Sequence, residues 1–298
     1  MEADWRFFRC RNQRQAVHEA LSELGYSRRL ERYDFCGKKS WVESCKSPSS
    51  GKQIFRIRCK RCGDPFCPAC SRERMRRVCR NLGSFMQAKR QRFRFVTLTL
   101  RQEHRGLVDQ INDLQRAFRR LRQSKIWKRS IKNAVWCMEI KLAKSGLWNC
   151  HLHLIYCGQW IDQGKLSDAW RAASRGSYIV DVRAADARAP VELTKYMSKS
   201  YELGVFKRPE RLRELIQATE SRKTFGVLGK EWRGLRLSSI WRDPDQIDLP
   251  WEYVDTVDHL IDRLKERDRR AAEIIDAIPQ LRLYAVWLHR QLHREDTS

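Results

Sequence analysis

The order of hydrophobic and polar residues predicts a strand followed by a helix at the start of the middle third of the chain. In "FRFVTLTL" (residues 93–100), Thr97 and Thr99 alternate with apolar residues, which is the period of a strand with hydroxyls on one side. Apolar residues then recur from Leu107 to Leu121 at the spacing of one helix face. We therefore expect a half-buried strand and an amphipathic helix with a basic outer face.

The same pattern continues to about residue 205. The elements predicted there are two strands, "AVWCMEIKL" and "CHLHLIYC", around the turn "AKSGLWN", then a helix near "GKLSDAWRAAS", a strand "YIVDVRA" and a helix "PVELTKYMSKSYELG". Pro190 at the start and Gly204 at the end are typical boundaries of that last helix. The order βαββαβα with a central hairpin predicts an α+β fold, in which one twisted antiparallel sheet carries helices on one face.

The flanking regions differ from this middle part. Residues 1–90 begin with a helix, "RQAVHEALSELG", continue into a cysteine-rich stretch and close with an arginine-rich helix. Beyond about residue 206 the pattern is mostly helical. The sequence thus predicts three parts: an N-terminal module at 1–90, a central domain at 91–205 and a mostly helical extension at 206–298.

Charge narrows the choice of partner. The 298 residues include 61 Lys and Arg against 36 Asp and Glu, so the net charge is +25. A charge of this size indicates a polyanionic partner, and nucleic acid is the first candidate. No apolar run approaches the roughly 20 residues of a membrane-spanning helix, and the N-terminus carries charges where a signal peptide would be apolar. We therefore expect a cytoplasmic protein without a membrane partner.

Cysteines cluster in the N-terminal part. Six of the 11 fall between residues 36 and 70, and four of these form "CKRCGDPFCPAC". In a cytosolic protein, two CxxC pairs this close together predict a tetrahedral Zn²⁺ site and not disulfides. The economical ligand set is Cys59, Cys62, Cys67 and Cys70. Cys36 and Cys45 are alternatives, because they could replace the first pair or bind a second ion.

The cysteine stretch runs into "SRERMRRVCRNLGSFMQAKRQR", a strongly basic predicted helix. Such a helix is either a solvated face or a phosphate-contacting one, and its place beside a zinc site favours phosphate contact. The predicted DNA-binding residues of this helix are Arg72, Arg74, Arg76 and Arg77.

The segment "CHLHLIYC" places His151 and His153 two residues apart, so both imidazoles share one face of the predicted strand. If "KSG" is a three-residue loop with Gly146 in the left-handed conformation, Glu139 lies directly opposite His151 and near His153. A carboxylate inside "VWCMEIKL" is costly unless it is paired or binds a metal. Two imidazoles and one carboxylate can hold Mg²⁺ or Mn²⁺ and leave positions open for substrate oxygens.

Three motifs in this order resemble those of the His-hydrophobic-His (HUH) single-strand endonucleases, most closely the rolling-circle replication initiators of small plasmids and phages. The motifs are "FVTLTL" at 95–100, "HLHL" at 151–154 and "ELTKYMSK" at 192–199. The resemblance covers about residues 36–205 and continues loosely through "SRKTFGVLGK". It implies an HUH-endonuclease-like sheet of the RRM/ferredoxin-like kind, and the activity of a DNA endonuclease and strand transferase.

The third motif resembles the nucleophile helix of that family. The resemblance implies that Tyr196 attacks a DNA phosphate to form a covalent 5′-phosphotyrosine, and that Glu192 is the base that lets water end the reaction. At helical spacing Glu192, Tyr196 and Lys199 share one face, so Lys199 can stabilise the phenolate electrostatically. Lys195, in the same motif, is expected to contact DNA.

The sequence therefore predicts a metal-dependent initiator that nicks and rejoins single-stranded DNA or an origin hairpin. No helicase domain is visible, so a host helicase and polymerase are expected partners. A transposase or relaxase with the same chemistry is an alternative. A non-catalytic, zinc-containing nucleic-acid-binding regulator would also explain the charge and the cysteines, but it leaves Glu139, the histidines and Tyr196 unexplained.

Overall fold

The computed structural model describes residues 5–89, 91–199, 203–232, 235, 237 and 249–295, and its description excludes the side chains of residues 196–199, 203 and 292–295. The chain divides into two compact units. Unit 1 comprises Met1–Cys70 together with Arg242–Ser298, and unit 2 comprises Ser71–Trp241.

The helices and strands follow one another in the order α1 (Arg11–Glu23), α2 (Ser27–Asp34), β1 (Trp41–Lys46), β2 (Gln53–Arg58), α3 (Pro68–Lys89), β3 (Phe93–Thr99), α4 (Leu107–Gln123), α5 (Lys125–Ser130), β4 (Ile131–Leu142), β5 (Trp148–Gly158), α6 (Gln163–Ser174), β6 (Val180–Ala184), α7 (Ala189–Lys199), α8 (Leu203–Phe206), α9 (Pro209–Thr219), β7 (Phe225–Leu228), β8 (Glu252–Thr256), α10 (Val257–Lys265), α11 (Arg269–Ala277) and α12 (Pro279–Glu295). Within the described residues, none of these helices has the length and apolar character needed to cross a bilayer.

Unit 1 is built on a three-stranded antiparallel sheet in the order β2-β1-β8. Val42 on the central strand β1 is fully buried in one core with Leu260 of α10, Ile274 of α11 and Leu281 of α12. The C-terminal helices thus cover a sheet whose other two strands come from the N-terminal part. This pairing differs from the predicted division into parts at 1–90, 91–205 and 206–298, because residues at the two ends of the chain share one core.

Unit 2 is built on a five-stranded antiparallel sheet in the order β6-β3-β5-β4-β7. The predicted order βαββαβα is present from β3 to α7, with the short helix α5 added before β4. The strand β7 differs from the sequence prediction, since the pattern beyond residue 206 indicates helices. Only four residues long, β7 is too short to show a clear alternation.

Helices pack on both faces of this sheet, so the expectation of helices on one face is wrong. On one face, α7 packs through Leu193 against Val135 and Ile155, in a core that also contains Leu82 of α3. On the other face, α4 contacts β5 and α6. Most residues on both faces of the central strands are therefore buried, and these include the polar side chains of Glu139 and His153.

The β4–β5 hairpin has the predicted loop. The amide of Ala143 donates to the carbonyl of Leu147 at 2.9 Å, and Gly146 has φ of +80°. A residue with a Cβ is strained in this left-handed region, which explains glycine at the turn. The loop sets the register of the strands, so that Glu139 pairs directly with His151.

Candidate functional site

Two histidines and a glutamate lie on one face of the unit 2 sheet. His151 and His153 come from β5, and Glu139 lies opposite His151 on β4. The Nε2 of His153 is 3.0 Å from Oε2 of Glu139. The two imidazole rings are nearly parallel, with centroids 6.0 Å apart. The hairpin register therefore assembles the three side chains from two adjacent strands.

The strand on the other side of β5 orients both imidazoles. Thr97 and Thr99 of β3 stand opposite His153 and His151, and each threonine hydroxyl is 3.1 Å from the facing Nδ1. A hydrogen bond at Nδ1 fixes the orientation of an imidazole and leaves Nε2 as the nitrogen available for a ligand. Within the described part of the chain, Nε2 of His151 has no hydrogen-bond partner.

Glu139 is a buried carboxylate, with an exposed fraction of 1%. Its Oε1 lies 3.1 Å from Nζ of Lys141, but no hydrogen bond of good geometry reaches this oxygen. Burial alone would raise the pKa of Glu139, but the His153 and Lys141 side chains outweigh it and lower the pKa. Glu139 is therefore ionised at neutral pH.

Burial acts on the imidazoles in the opposite direction. Desolvation lowers the pKa of His151 to about 4 and also lowers the pKa of His153, although the Glu139 carboxylate opposes the shift at both rings. Both imidazoles are therefore neutral at pH 7, which is the form that binds a metal ion.

The donor set fits a divalent cation in its chemistry. Two neutral imidazoles and a carboxylate with one unsatisfied buried oxygen are typical ligands of such ions. Among the described residues, the ligand atoms of these three side chains do not all lie within 4.8 Å of one another. The three residues therefore share one face without being closed around a single point.

Helix α7 carries the third motif and lies against β4 and β5. The Sγ of Cys137 contacts the carbonyl of Leu193 at 3.4 Å, which fixes this helix over the sheet. Glu192 in its first turn pairs with Arg183 of β6. The negative charge of Glu192 also acts on the pKa of His153, so the start of α7 is within electrostatic reach of the histidines.

The side chains of the third motif are described only in part. The helix α7 includes the positions of Tyr196 and Lys199, but their side chains lie outside the described residues. Lys195 is described and its side chain is exposed.

A sequence comparison identifies the family. Residues 55–264 match the model of the Rep_1 family, described as replication protein. The chain belongs to this family. It is therefore a rolling-circle replication initiator, as the three motifs predicted, and such initiators are generally nicking endonucleases. No curated protein and no solved structure matches the chain.

Unit 1 of the initiator contains a four-cysteine cluster that could hold a structural metal such as zinc. Its members, whose sulfur atoms all lie within 4.8 Å of one another, are Cys36, Cys62, Cys67 and Cys70. The Sγ of Cys36 is 3.5 Å from that of Cys70 and 3.7 Å from that of Cys67. Four thiols at these distances suit tetrahedral coordination of one ion.

The structure corrects one member of the predicted ligand set. Cys36 takes the place of Cys59, which packs at the margin of the unit 1 hydrophobic core. The amide of Gly37 donates to the carbonyl of Lys60, which holds residue 36 beside the first half of the motif, and the Cys36 sulfur reaches those of Cys67 and Cys70. Cys45 lies buried on β1 and is not a member of the described cluster.

A buried guanidinium accompanies the cysteines. Nη1 of Arg6 is 3.3 Å from Sγ of Cys36, and the Arg6 side chain is buried. Thiolates that bind a metal carry net negative charge, and an N–H donor from a cation offsets part of it. The sequence offered no signal for Arg6, which lies 30 residues before Cys36.

The arginines predicted to bind DNA lie on α3. Arg72 and Arg76 are exposed, whereas Arg74 and Arg77 are half-buried. Val78 and Leu82 on the same helix are fully buried in the unit 2 core, so α3 is amphipathic with a basic outer side.

Several residues around the histidines were not recognised from the sequence. Thr97 and Thr99 were noted only as hydroxyls on one strand face, and Lys141 and Arg183 were not singled out. The alternation in "FVTLTL" was the available signal, because two hydroxyls on the same face as a histidine pair can hydrogen-bond to it once the strands are neighbours.

Proposed function

We propose that this initiator nicks and rejoins single-stranded DNA at an origin through a covalent 5′-phosphotyrosine on Tyr196. The observation that carries the proposal is the hairpin register, which places Glu139 opposite His151 with its carboxylate 3.0 Å from His153. A packed sheet face has no need of two oriented neutral imidazoles beside an ionised buried carboxylate.

His151, His153 and Glu139 are the residues that would hold a divalent cation. The cation, Mg²⁺ or Mn²⁺, would supply positive charge to polarise the scissile phosphate. Thr97 and Thr99 would keep the Nδ1 atoms engaged, so that Nε2 of each imidazole is the nitrogen available to the cation. At His153 the cation would replace the contact between Nε2 and Glu139. Lys141 neutralises part of the Glu139 charge and limits the repulsion of an approaching phosphate.

Tyr196 is the nucleophile in this proposal. Its phenol loses a proton to solvent, the phenolate oxygen forms a bond to phosphorus, the bond from phosphorus to the 3′ oxygen breaks, and the leaving 3′ oxygen takes up a proton from solvent. One phosphodiester is exchanged for another, so that no nucleotide triphosphate is consumed. Lys199, three positions further along the helix, would stabilise the phenolate.

Glu192 would act as the base that lets water release the strand. Its carboxylate pairs with Arg183, which holds it at the start of α7. The proposed release step requires Glu192 to accept the proton of the attacking water.

The basic side chains of α3 and α7 are the proposed DNA contacts. Arg72, Arg74, Arg76 and Arg77 of α3 and Lys195 of α7 would contact the phosphates of single-stranded or hairpin DNA. A host helicase would unwind the duplex, and a host polymerase would extend the free 3′ end.

The test is a cleavage assay with single-stranded oligonucleotides labelled at either end, in the presence of Mn²⁺. Wild-type protein should leave an adduct on the new 5′ end that survives a denaturing gel, so that the 3′-labelled fragment carries the protein and the 5′-labelled fragment is released with a free 3′-hydroxyl. Tyr196→Phe should abolish the adduct and change DNA affinity little, whereas Tyr178→Phe, at an exposed tyrosine, should keep it. DNA binding without any strand break would favour the regulator instead.

A further inference from the structure

Unit 2 also has a groove on the sheet face opposite the histidines. It lies between α4 and the β4–β7 edge and has a volume of about 540 Å³. Trp136 and Met138 of β4 and Leu152 of β5 line its sheet side. Their side chains point away from Glu139 and His151, because successive residues of a strand face opposite ways. The groove is therefore separate from the site described above.

Three cationic side chains line the groove. Arg119 and Arg122 lie one turn apart on α4, and Lys223 precedes β7. None of the described lining residues is acidic. Arg122 is half-buried, whereas Arg119 and Lys223 are exposed. Like charges at this helical spacing repel each other. An anion in the groove would remove this cost.

Among the described residues, Arg122 is the cationic residue of the groove that most clearly lacks a negatively charged or hydrogen-bond-accepting partner. Its Nε is buried and has no hydrogen-bond partner in the described part of the chain. Burial lowers the pKa of Arg122, and the charge of Arg119 lowers it further. A half-buried guanidinium that lacks an acceptor is expected where a ligand supplies one.

The groove also presents a fixed aromatic surface. The Trp136 ring makes an edge contact with Phe118, at 5.8 Å between centroids. The ring also lies so close to Gly226 that a Cβ there would be 2.8 Å from Nε1. A held, half-buried indole beside three cations combines the two features that bind nucleotides, since bases stack on aromatic rings and phosphates pair with cations.

We propose that this groove binds one nucleotide of a single DNA strand, with the phosphate at Arg119, Arg122 and Lys223 and the base against Trp136. The volume is within the range of about 300–1,000 Å³ typical of pockets for small ligands. An acidic peptide would also match the charge, but the Trp136 indole in the lining favours a base, because bases stack on aromatic rings. The proposal depends on the protein acting on DNA and not on the cleavage chemistry proposed for Tyr196.

The test compares two double variants that remove the same charge from the full-length protein. R119Q/R122Q changes the groove, whereas K128Q/R129Q changes exposed residues of the neighbouring helix α5. Affinity for a fluorescent oligothymidylate is measured by anisotropy over a series of salt concentrations. The groove variant should bind on the order of 10-fold more weakly than the control, and its salt dependence should be shallower by about 0.7 for each phosphate that the protein no longer neutralises.

Urea unfolding of the same variants tests whether a loss of affinity results from a loss of stability. R119Q/R122Q should be as stable as wild type or more stable, because the substitution removes repulsion between two arginines. Equal losses of affinity in the two double variants would show general charge attraction and overturn the proposal.

Photocrosslinking tests whether a base of the bound strand lies against Trp136. Photocrosslinking of an oligonucleotide that carries bromodeoxyuridine should give an adduct at Trp136 by mass spectrometry. Excess thymidine 5′-monophosphate should compete poorly with the strand. Equal competition at equal phosphate concentration would indicate a free-nucleotide site, and an adduct only elsewhere in the chain would exclude DNA from the groove. Either result would contradict the proposal.

Discussion

At the scale of single residues, the chemistry of the histidine pair is set by its neighbours. Burial lowers the pKa values of His151 and His153 and keeps both rings neutral, while His153 and Lys141 keep Glu139 ionised. The result is a face with neutral nitrogen donors and one negative oxygen donor. This combination binds a cation better than a pair of protonated imidazoles would.

Replacement of Thr99 by valine tests the orientation of His151. The variant keeps the shape of the side chain but removes the hydroxyl that lies 3.1 Å from Nδ1. We expect the Mn²⁺ concentration needed for half-maximal cleavage to rise about 10–100-fold, the usual effect of losing such a support. Thr219→Val on α9, where the hydroxyl bonds only to its own helix, is the matched control. An unchanged Mn²⁺ dependence in Thr99→Val would contradict the proposed role.

At the scale of secondary structure elements, the β4–β5 hairpin decides whether the site exists. A shift of one residue in the register would turn Glu139 to the face that α4 covers. The left-handed conformation of Gly146 in the three-residue loop is one determinant of this register.

Substitution of Gly146 by alanine should destabilise the protein by about 1 kcal/mol, because a Cβ is unfavourable at φ of +80°. Urea unfolding measures this change. Gly83→Ala inside α3, where a Cβ would meet no atom within 4 Å, should be neutral or stabilising. Destabilisation of equal size at both positions would point to packing and not to backbone strain.

The start of α4 depends on a residue from another helix. The amide of Leu107 donates to Oε1 of Glu214 on α9 at 2.8 Å, and Arg211 pairs with Oε2 at 2.7 Å. Burial alone would raise the pKa of Glu214, but the amide and Arg211 outweigh it and lower the pKa. A lowered pKa in the folded state means that the carboxylate contributes stability above its ordinary pKa, and that this contribution is lost as the pH falls through the lowered value.

The Glu214→Gln variant should therefore be less stable than wild type at neutral pH by about 1 kcal/mol. The difference should shrink as the pH falls below the ordinary range of a glutamate. Urea unfolding at a series of pH values measures it, with Glu210→Gln on the exposed side of the same helix as control. A difference that persists unchanged at acid pH would show that the charge of Glu214 is not responsible.

At the scale of the whole molecule, the two ends of the chain form one unit. Strand β8 pairs with β1 although about two hundred residues separate them. The family match, from residue 55 to 264, includes parts of both units. The cysteine cluster belongs to unit 1, so metal binding there would stabilise a core that also contains the C-terminal helices.

Cysteine variants test this arrangement. Cys36→Ser should lose Zn²⁺ and unfold unit 1 at lower temperature, because the free energy of binding a structural zinc contributes directly to folding. Cys59→Ser should retain the metal, since Cys59 is not in the described cluster. Elemental analysis and thermal unfolding measure both effects. Loss of Zn²⁺ in Cys59→Ser with retention in Cys36→Ser would restore the ligand set predicted from the sequence.

Local patterns were sufficient for much of the central fold. Apart from the short helix α5, the elements from β3 to α7, the loop at Gly146 and the pairing of Glu139 with His151 follow from alternation, turn chemistry and the fixed geometry of a hairpin. Strand β7 was missed because it is too short to show a clear alternation. The exchange of Cys59 for Cys36 and the missed strand β8 have one cause in common. Each depends on contacts between distant segments, which leave no periodic trace in the sequence.

The sequence by itself determined the charge, the three motifs and the local hairpin, because these depend on residue type and on neighbours along the chain. Only the tertiary structure decided that threonines of β3 orient the histidines, that Cys36 completes the cysteine cluster and that the chain ends share a core. These features require strands and helices to meet across long separations. Burial and packing determine these long-range contacts, and local sequence preferences do not encode them.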